Sequence, residues 1–236
     1  MASPLDAKRL ARQSCRIIGA SRTGKTFSCD TYRFKYPPIE QSGCLPIIPV
    51  LYWHCWDKLR LSGLFVGLLD AVGCELLTGN TNQLRLRTYE ALEKCQVEML
   101  IVDEAQRISS EVMSEIRDIS DRLEISVVLV GTDRLNAVIK RDEQVKRRFR
   151  FGYQFASLSV DGVREMTGLW EAHVLNLPEP SNLTSDKAQT LLLHVTQGYI
   201  GVLSDILREA AIQSWYKRHP RIKLSTLKQV VQSCLL

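Results

Sequence analysis

The chain predicts an α/β fold in which a parallel sheet is flanked by helices, followed by a small all-helical domain. Three observations carry that prediction. Apolar runs of strand length alternate with amphipathic segments up to about Ser157. The runs are continuously apolar, as strands covered on both faces must be. Beyond Ser157 the strand-like runs stop and only helical patterns follow. This shift divides the chain into an α/β domain over 1–157 and a helical domain over 158–236.

Taken in order, "SCRIIGA" reads as a strand entering a glycine-rich loop, and "GKTFSCDTYRFKY" as the helix that leaves it. "PIIPVLYWHC" is a second strand, and "LSGLFVGLLDAVG" and "NQLRLRTYEALEKC" have helical spacing. "VEMLIVDEA" is a buried strand with acids at its C-terminal end. "SSEVMSEIRDISDRLE" is an amphipathic helix with Ser109 or Ser110 as its N-cap. "ISVVLVGT" is another buried strand, and "DRLNAVIKRDEQVKRRF" reads as one helix. In the second domain "VDGVREMTGLWEAHVLNL", "SDKAQTLLLHVTQ", "GVLSDILREAAIQSWYKR" and "STLKQVVQSCLL" read as helices, with "PEPSN" as the clearest linker.

Composition narrows the class. With 45% hydrophobic and 24% charged residues, the 236-residue chain has the balance of a soluble globular protein able to bury a core. No apolar run reaches the length of a membrane span, and "MASPLDAKRLARQSCR" is too polar for a signal peptide, so a cytoplasmic protein with no membrane partner is expected. The seven cysteines form no C-x-x-C pair and read as reduced thiols. A net charge of +5 permits a polyanionic partner without requiring one.

The chemistry starts at "GASRTGKT", which fits G-x-x-x-x-G-K-S/T between a strand and a helix. Gly19 and Gly24 let backbone N–H groups close around phosphate oxygens, joined by Ser21, Arg22 and Thr23. Lys25 can reach the terminal phosphates, and the Thr26 hydroxyl can ligate Mg²⁺. Asp103 and Glu104 end an apolar strand, where Asp103 would support the metal and Glu104 would polarise the attacking water. Adjacent acids without a guanine-reading NKxD motif favour ATP. Thr132, at the end of "VVLVGTDRL", is expected to sense the γ-phosphate or the water, while Asp133 could cap the next helix.

In this order, the phosphate loop, "VDEA", "VGTDRL", "RRF" and the helical tail resemble an AAA+ ATPase. More narrowly, "SRTGKT", "VEMLIVDEA", "VVLVGTDRLNAVIKRDEQV" and "GYIG…LREAA" are similar to the TnsC/TniB transposition regulators, closest to the TnsC of CRISPR-associated transposons. The resemblance implies an ATPase that assembles as a hexameric ring or helical filament on duplex DNA. It also implies partners: a TnsB-type transposase on one side, and TniQ with a CRISPR effector on the other. It makes Arg148, with Arg147 second, the arginine that reaches a neighbouring subunit's γ-phosphate. One departure stands out, because relatives carry a lid arginine where "GYIGV" has Val202, and Arg208 is nearly two turns away.

DNA contacts are expected from "WHCWDKLRLSG" and "ELLTGNTNQLRLRT", which supply Lys58, Arg60, Ser62, Thr78 and Asn80, with Arg85 and Arg87 nearby. Trp53 and Trp56 are expected to anchor the core rather than stack on bases. Two other readings remain open at this stage. One is a remodelling ATPase of the replication-initiator or clamp-loader type. The other is a nucleotide-gated adaptor with little hydrolysis, which Val202 makes plausible.

Overall fold

A computed structural model describes residues 3–57 and 59–234. These residues form two compact units, one containing the segment up to Gly19 together with Lys25–Phe155, the other Ala20–Gly24 together with the chain from Ala156 onward.

In the first unit, α1 (Pro4–Leu10) precedes β1 (Cys15–Gly19) and α2 (Lys25–Phe34). Helix α1 is too short for periodicity to announce it. A capping box starts it instead, with the Ser3 hydroxyl accepting from Leu5 N–H and the Asp6 carboxylate accepting from Ser3 N–H. Then follow β2 (Val50–His54), α3 (Leu61–Ala71), α4 (Thr81–Lys94), β3 (Met99–Asp103), α5 (Ser110–Arg122) and β4 (Ser126–Gly131). The hydroxyl that caps α5 is that of Ser109. The segment read as one long helix is two, α6 (Arg134–Ile139) and α7 (Glu143–Arg148). Asp142 breaks it by accepting from the N–H groups of Gln144 and Val145 to start the second piece. A further strand, β5 (Gly152–Phe155), lies in a stretch whose sequence shows no apolar run.

The five strands are ordered β2-β3-β4-β1-β5, and every pairing is parallel. All residues of β3 and β4 are buried, which accounts for their unbroken apolar sequences. Side chains divide between the faces with period two: Val127 and Leu129 join one core with Leu100 and Val102, while Val128 and Val130 join the other with Met99 and Ile101. Each such aliphatic side chain contributes about 1.5–3 kcal/mol by burial. The register sets Ile18 beside Gly131 and Val102 beside Leu129, so the C-terminal ends of β1, β3 and β4 share one edge of the sheet.

The second unit contains α8 (Val160–His173), α9 (Asp186–Thr196), α10 (Ile200–Tyr216) and α11 (Leu224–Cys234). Its core stripe on α10 is Leu203, Ile206, Leu207 and Ala210, the spacing of one helix face. The "PEPSN" linker is tied down by the Glu171 carboxylate, which accepts from the N–H groups of Ser181, Asn182 and Leu183. No helix among the described residues is long and apolar enough to cross a membrane.

Candidate active site

The site begins where β1 stops. Gly19 lies so close to the Phe155 carbonyl that any side chain would collide with it. Arg22 and Gly24 take left-handed backbone, with φ of 65° and 92°, the conformation that turns successive N–H groups toward one anion. The Thr23 hydroxyl donates to the Ala20 carbonyl at 2.8 Å, and the Lys25 ammonium to the Gly19 carbonyl at 2.8 Å. Burial pushes the Lys25 pKa down, while Asp103, Glu104 and Asp133 pull it back up. Ser21 is exposed at the tip of the loop.

Asp103 is almost fully buried and collects three donors. Thr26 and Tyr52 each donate to Oδ2 at 2.7 Å, and the Glu104 N–H donates to Oδ1 at 2.8 Å. The carboxylate is therefore held beside the Thr26 hydroxyl, the pair expected to face Mg²⁺. Tyr52 belongs to β2, and its role could not be read from sequence because it depends on β2 lying next to β3.

Glu104 has φ of 57° and ψ of 30°, a left-handed conformation that costs a non-glycine residue about 1 kcal/mol or more. Its carboxylate accepts from Gln106 Nε2 at 2.8 Å and pairs with Arg107 at 3.1 Å. The Gln106 Oε1 in turn accepts from the Thr132 N–H at 3.2 Å, so one side chain ties the water-activating candidate to the sensor candidate. Gln106 was not singled out in the sequence. Its only signal is that it follows the acids within one turn. The Thr132 hydroxyl is buried with no hydrogen-bond partner among the described residues. Asp133 stands at the start of α6 but makes no side-chain cap.

These groups fit a Mg²⁺-bound triphosphate. The donor set consists of hard oxygens and one ammonium, and an unsatisfied hydroxyl lies at the same sheet edge. Thr26 and Asp103 would hold the Mg²⁺, which would supply neutralisation of the charge that develops on the phosphates. Within the second unit, Arg22 is committed to α10. Its carbonyl accepts from the Gly201 N–H at 2.9 Å, and its guanidinium pairs with Asp205 at 2.8 Å. Val202 packs against the helical core, and Arg208 is exposed.

Arg148 donates to the Ser120 hydroxyl at 2.9 Å and pairs with Asp121 at 3.2 Å. Arg147 is 80% exposed, its nearest acid being Glu143 at 3.9 Å. Among the expected DNA contacts, Arg60 is exposed at the N-cap of α3 and Ser62 lies in its first turn, whereas Lys58 lies outside the described residues. The Asn80 side chain accepts from the Gln83 N–H and the Gln83 side chain from the Asn80 N–H, which caps α4, and the Thr78 carbonyl accepts from Arg87. Arg85 is bound by the buried Glu115, so Arg85 and Arg87 both brace the fold. Trp53 is buried against Gly67, as expected, but Trp56 is 48% exposed and does not anchor the core.

Residues 2–154 match the family described as "Bacterial TniB protein". No curated protein sequence matches the chain. Solved structures do resemble it. The ORC2 protein of Aeropyrum pernix, with ADPNP and ADP, aligns with a TM-score of 0.70 at 13% identity over 96% of this chain and 64% of that one. The A. pernix ORC1 protein in complex with DNA gives 0.68 at 14%, over 97% and 62%. Cdc6p of Pyrobaculum aerophilum gives 0.65 at 15%, over 89% and 57%. The chain thus spans less than two thirds of the length of these structures, and at such identities the likeness shows a common AAA+ fold.

Proposed function

The chain belongs to the TniB family and has the AAA+ fold, and from that premise we propose that it is a cytoplasmic, Mg²⁺-dependent ATPase that regulates DNA transposition. ATP held by Lys25, Thr26 and the loop from Gly19 to Gly24 joins subunits into a ring or filament on duplex DNA. Hydrolysis by way of Glu104 releases it. In this reading the assembly presents target DNA to a TnsB-type transposase and receives its address from TniQ and a CRISPR effector. Arg148, or the more exposed Arg147, completes the neighbouring subunit's site. Arg60, Ser62, Thr78 and Asn80, together with Lys58, grip the phosphate backbone.

The observation that carries the reading is the Asp103 carboxylate locked between Thr26 of the phosphate loop and Tyr52, with Glu104 next in sequence on a left-handed turn. ATP turnover measured with and without duplex DNA tests it, and DNA-stimulated hydrolysis is expected. One observation favours a second reading. Val202 stands where a lid arginine would reach the nucleotide, and Arg22 is engaged by Asp205, an arrangement suited to an adaptor that binds ATP and turns it over slowly. Stable ATP binding with DNA-independent, near-zero turnover would favour the adaptor.

A further inference from the structure

Helix α10 carries two stripes. Leu203, Ile206, Leu207, Ala210 and Ser214 are buried, whereas Ile212, Trp215 and Tyr216 share a different face. Trp215 is 71% exposed and Tyr216 75%, and their rings meet edge to face at 5.2 Å. Neither is needed by the core cluster of the second unit. Beside Trp215 runs a groove lined by Leu175, Leu177, Pro178, Ile212 and His219. The His219 Nδ1 is buried and has no hydrogen-bond partner among the described residues.

Charge is concentrated in the same place. From Ala210 to the last residue the sequence contains Lys217, Arg218, Arg221, Lys223 and Lys228 and no Asp or Glu, so this segment carries the entire net charge of +5. The rest of the chain has 26 residues of each sign. Lys217, Arg218, Arg221 and Lys223 are exposed. Few contacts engage their side chains: Lys217 donates to Gln229, Arg221 lies 3.9 Å from Glu179, and the side chains of Arg218 and Lys223 have no hydrogen-bond or ion-pair partner among the described residues.

We propose that Trp215–Lys223 is a binding surface for single-stranded nucleic acid, with bases stacking on Trp215 and Tyr216 and the backbone running along Lys217, Arg218, Arg221 and Lys223. A single strand offers both things that the surface asks for, unpaired π faces and closely spaced phosphates. Duplex DNA hides its base faces, and an acidic peptide supplies charge without rings to stack. The surface lies within one unit and requires neither ATP nor a second subunit, so it goes beyond the duplex-gripping assembly and can fail or succeed separately from it.

The test is fluorescence anisotropy of the full chain without nucleotide at low salt. The probe is a labelled mixed-sequence single strand of about 15 nucleotides, near the upper end of common site sizes. The same sequence as duplex and a polyglutamate serve as competitors. The single strand should bind, and Trp215→Ala with Tyr216→Ala should weaken it by about tenfold or more, as loss of two stacking contacts implies. Arg218→Glu with Lys223→Glu should do likewise and flatten the salt dependence by about 0.7 in log–log slope per lost phosphate contact. All four side chains are exposed, and an unchanged far-UV spectrum and Tm would confirm that folding is intact. Wild-type affinity in either double variant, or competition by polyglutamate or duplex as effective as by the single strand, would overturn the proposal.

Discussion

Asp103 shows how much of the site is set by groups that do not touch phosphate. Its carboxylate takes hydrogen bonds from Thr26, Tyr52 and the Glu104 N–H, so the oxygen proposed to face the metal is held in place by the protein itself. Tyr52→Phe removes one of these bonds and is expected to cost about 0.5–1.5 kcal/mol, read as a several-fold rise in the Mg²⁺ needed for half-maximal turnover. Lys25→Ala should abolish ATP binding, measured with a fluorescent nucleotide. Glu104→Gln should bind ATP normally yet hydrolyse it about 10²–10⁴-fold more slowly, the usual range for losing a general base. Gln106→Leu should also lower turnover while sparing binding, because Glu104 and the Thr132 N–H lose their common partner. If Gln106→Leu matched wild type in turnover, the bridge would be structural only. Asp103, Glu104 and the phosphate loop were legible because strand context and residue spacing define them locally. Tyr52 and Gln106 were not, because one acts across neighbouring strands and the other through a left-handed turn that no motif encodes. Thiols add an independent check on packing. Burial pushes Cys29 up to about 12 and Cys15 up to about 11, so near neutral pH these should resist alkylation in the native state while the exposed Cys44 reacts. Equal labelling of Cys29 and Cys44 in mass-spectrometric mapping would contradict the packing of α2.

At the scale of elements, α7 carries the proposed link between subunits. Its start is set by Asp142, whose carboxylate accepts from two backbone N–H groups and from the Ser114 hydroxyl. Asp142→Ala should therefore destabilise the protein by about 1 kcal/mol, a Tm drop of about 2–4 °C for a chain of this size. The break between α6 and α7 was missed because the apolar spacing continues across it, and the cap overrides the pattern. β5 was missed for a different reason: it is a four-residue edge strand with alternating exposure, and its pairing with β1 comes from the sheet rather than from its own composition. The interior strands β3 and β4 were legible because both are fully buried, so Met99–Val102 and Val127–Val130 are unbroken apolar runs with the polar Asp103 and Ser126 only at strand ends. If α7 projects into a neighbouring site, Arg148→Ala should lose turnover, and mixing it with Lys25→Ala subunits should restore part of it. Arg148 is also bound to Ser120 and Asp121, so the variant must be compared with Arg147→Ala. Recovery with only one of the two pairs identifies the arginine, and unchanged turnover in both single variants would remove α7 from catalysis.

For the whole molecule, the question is what the proposed ATP binding is for. One subunit offers few candidate phosphate contacts, among them Arg60 and the backbone around Thr78 and Asn80. Each cationic phosphate contact changes the log–log salt dependence of duplex binding by only about 0.9, and in the proposed function tight binding comes from many subunits acting together. Duplex affinity should then fall steeply with salt and depend on ATP, and Arg60→Glu should weaken it while leaving nucleotide binding intact. The most direct measurement of the central claim is electron microscopy of the purified protein with long duplex DNA, with and without ATP. Ordered rings or filaments on the DNA in ATP, absent without nucleotide and absent for Lys25→Ala, are the predicted result. Protein that stays monomeric on DNA with ATP, or that assembles identically without nucleotide, would contradict it.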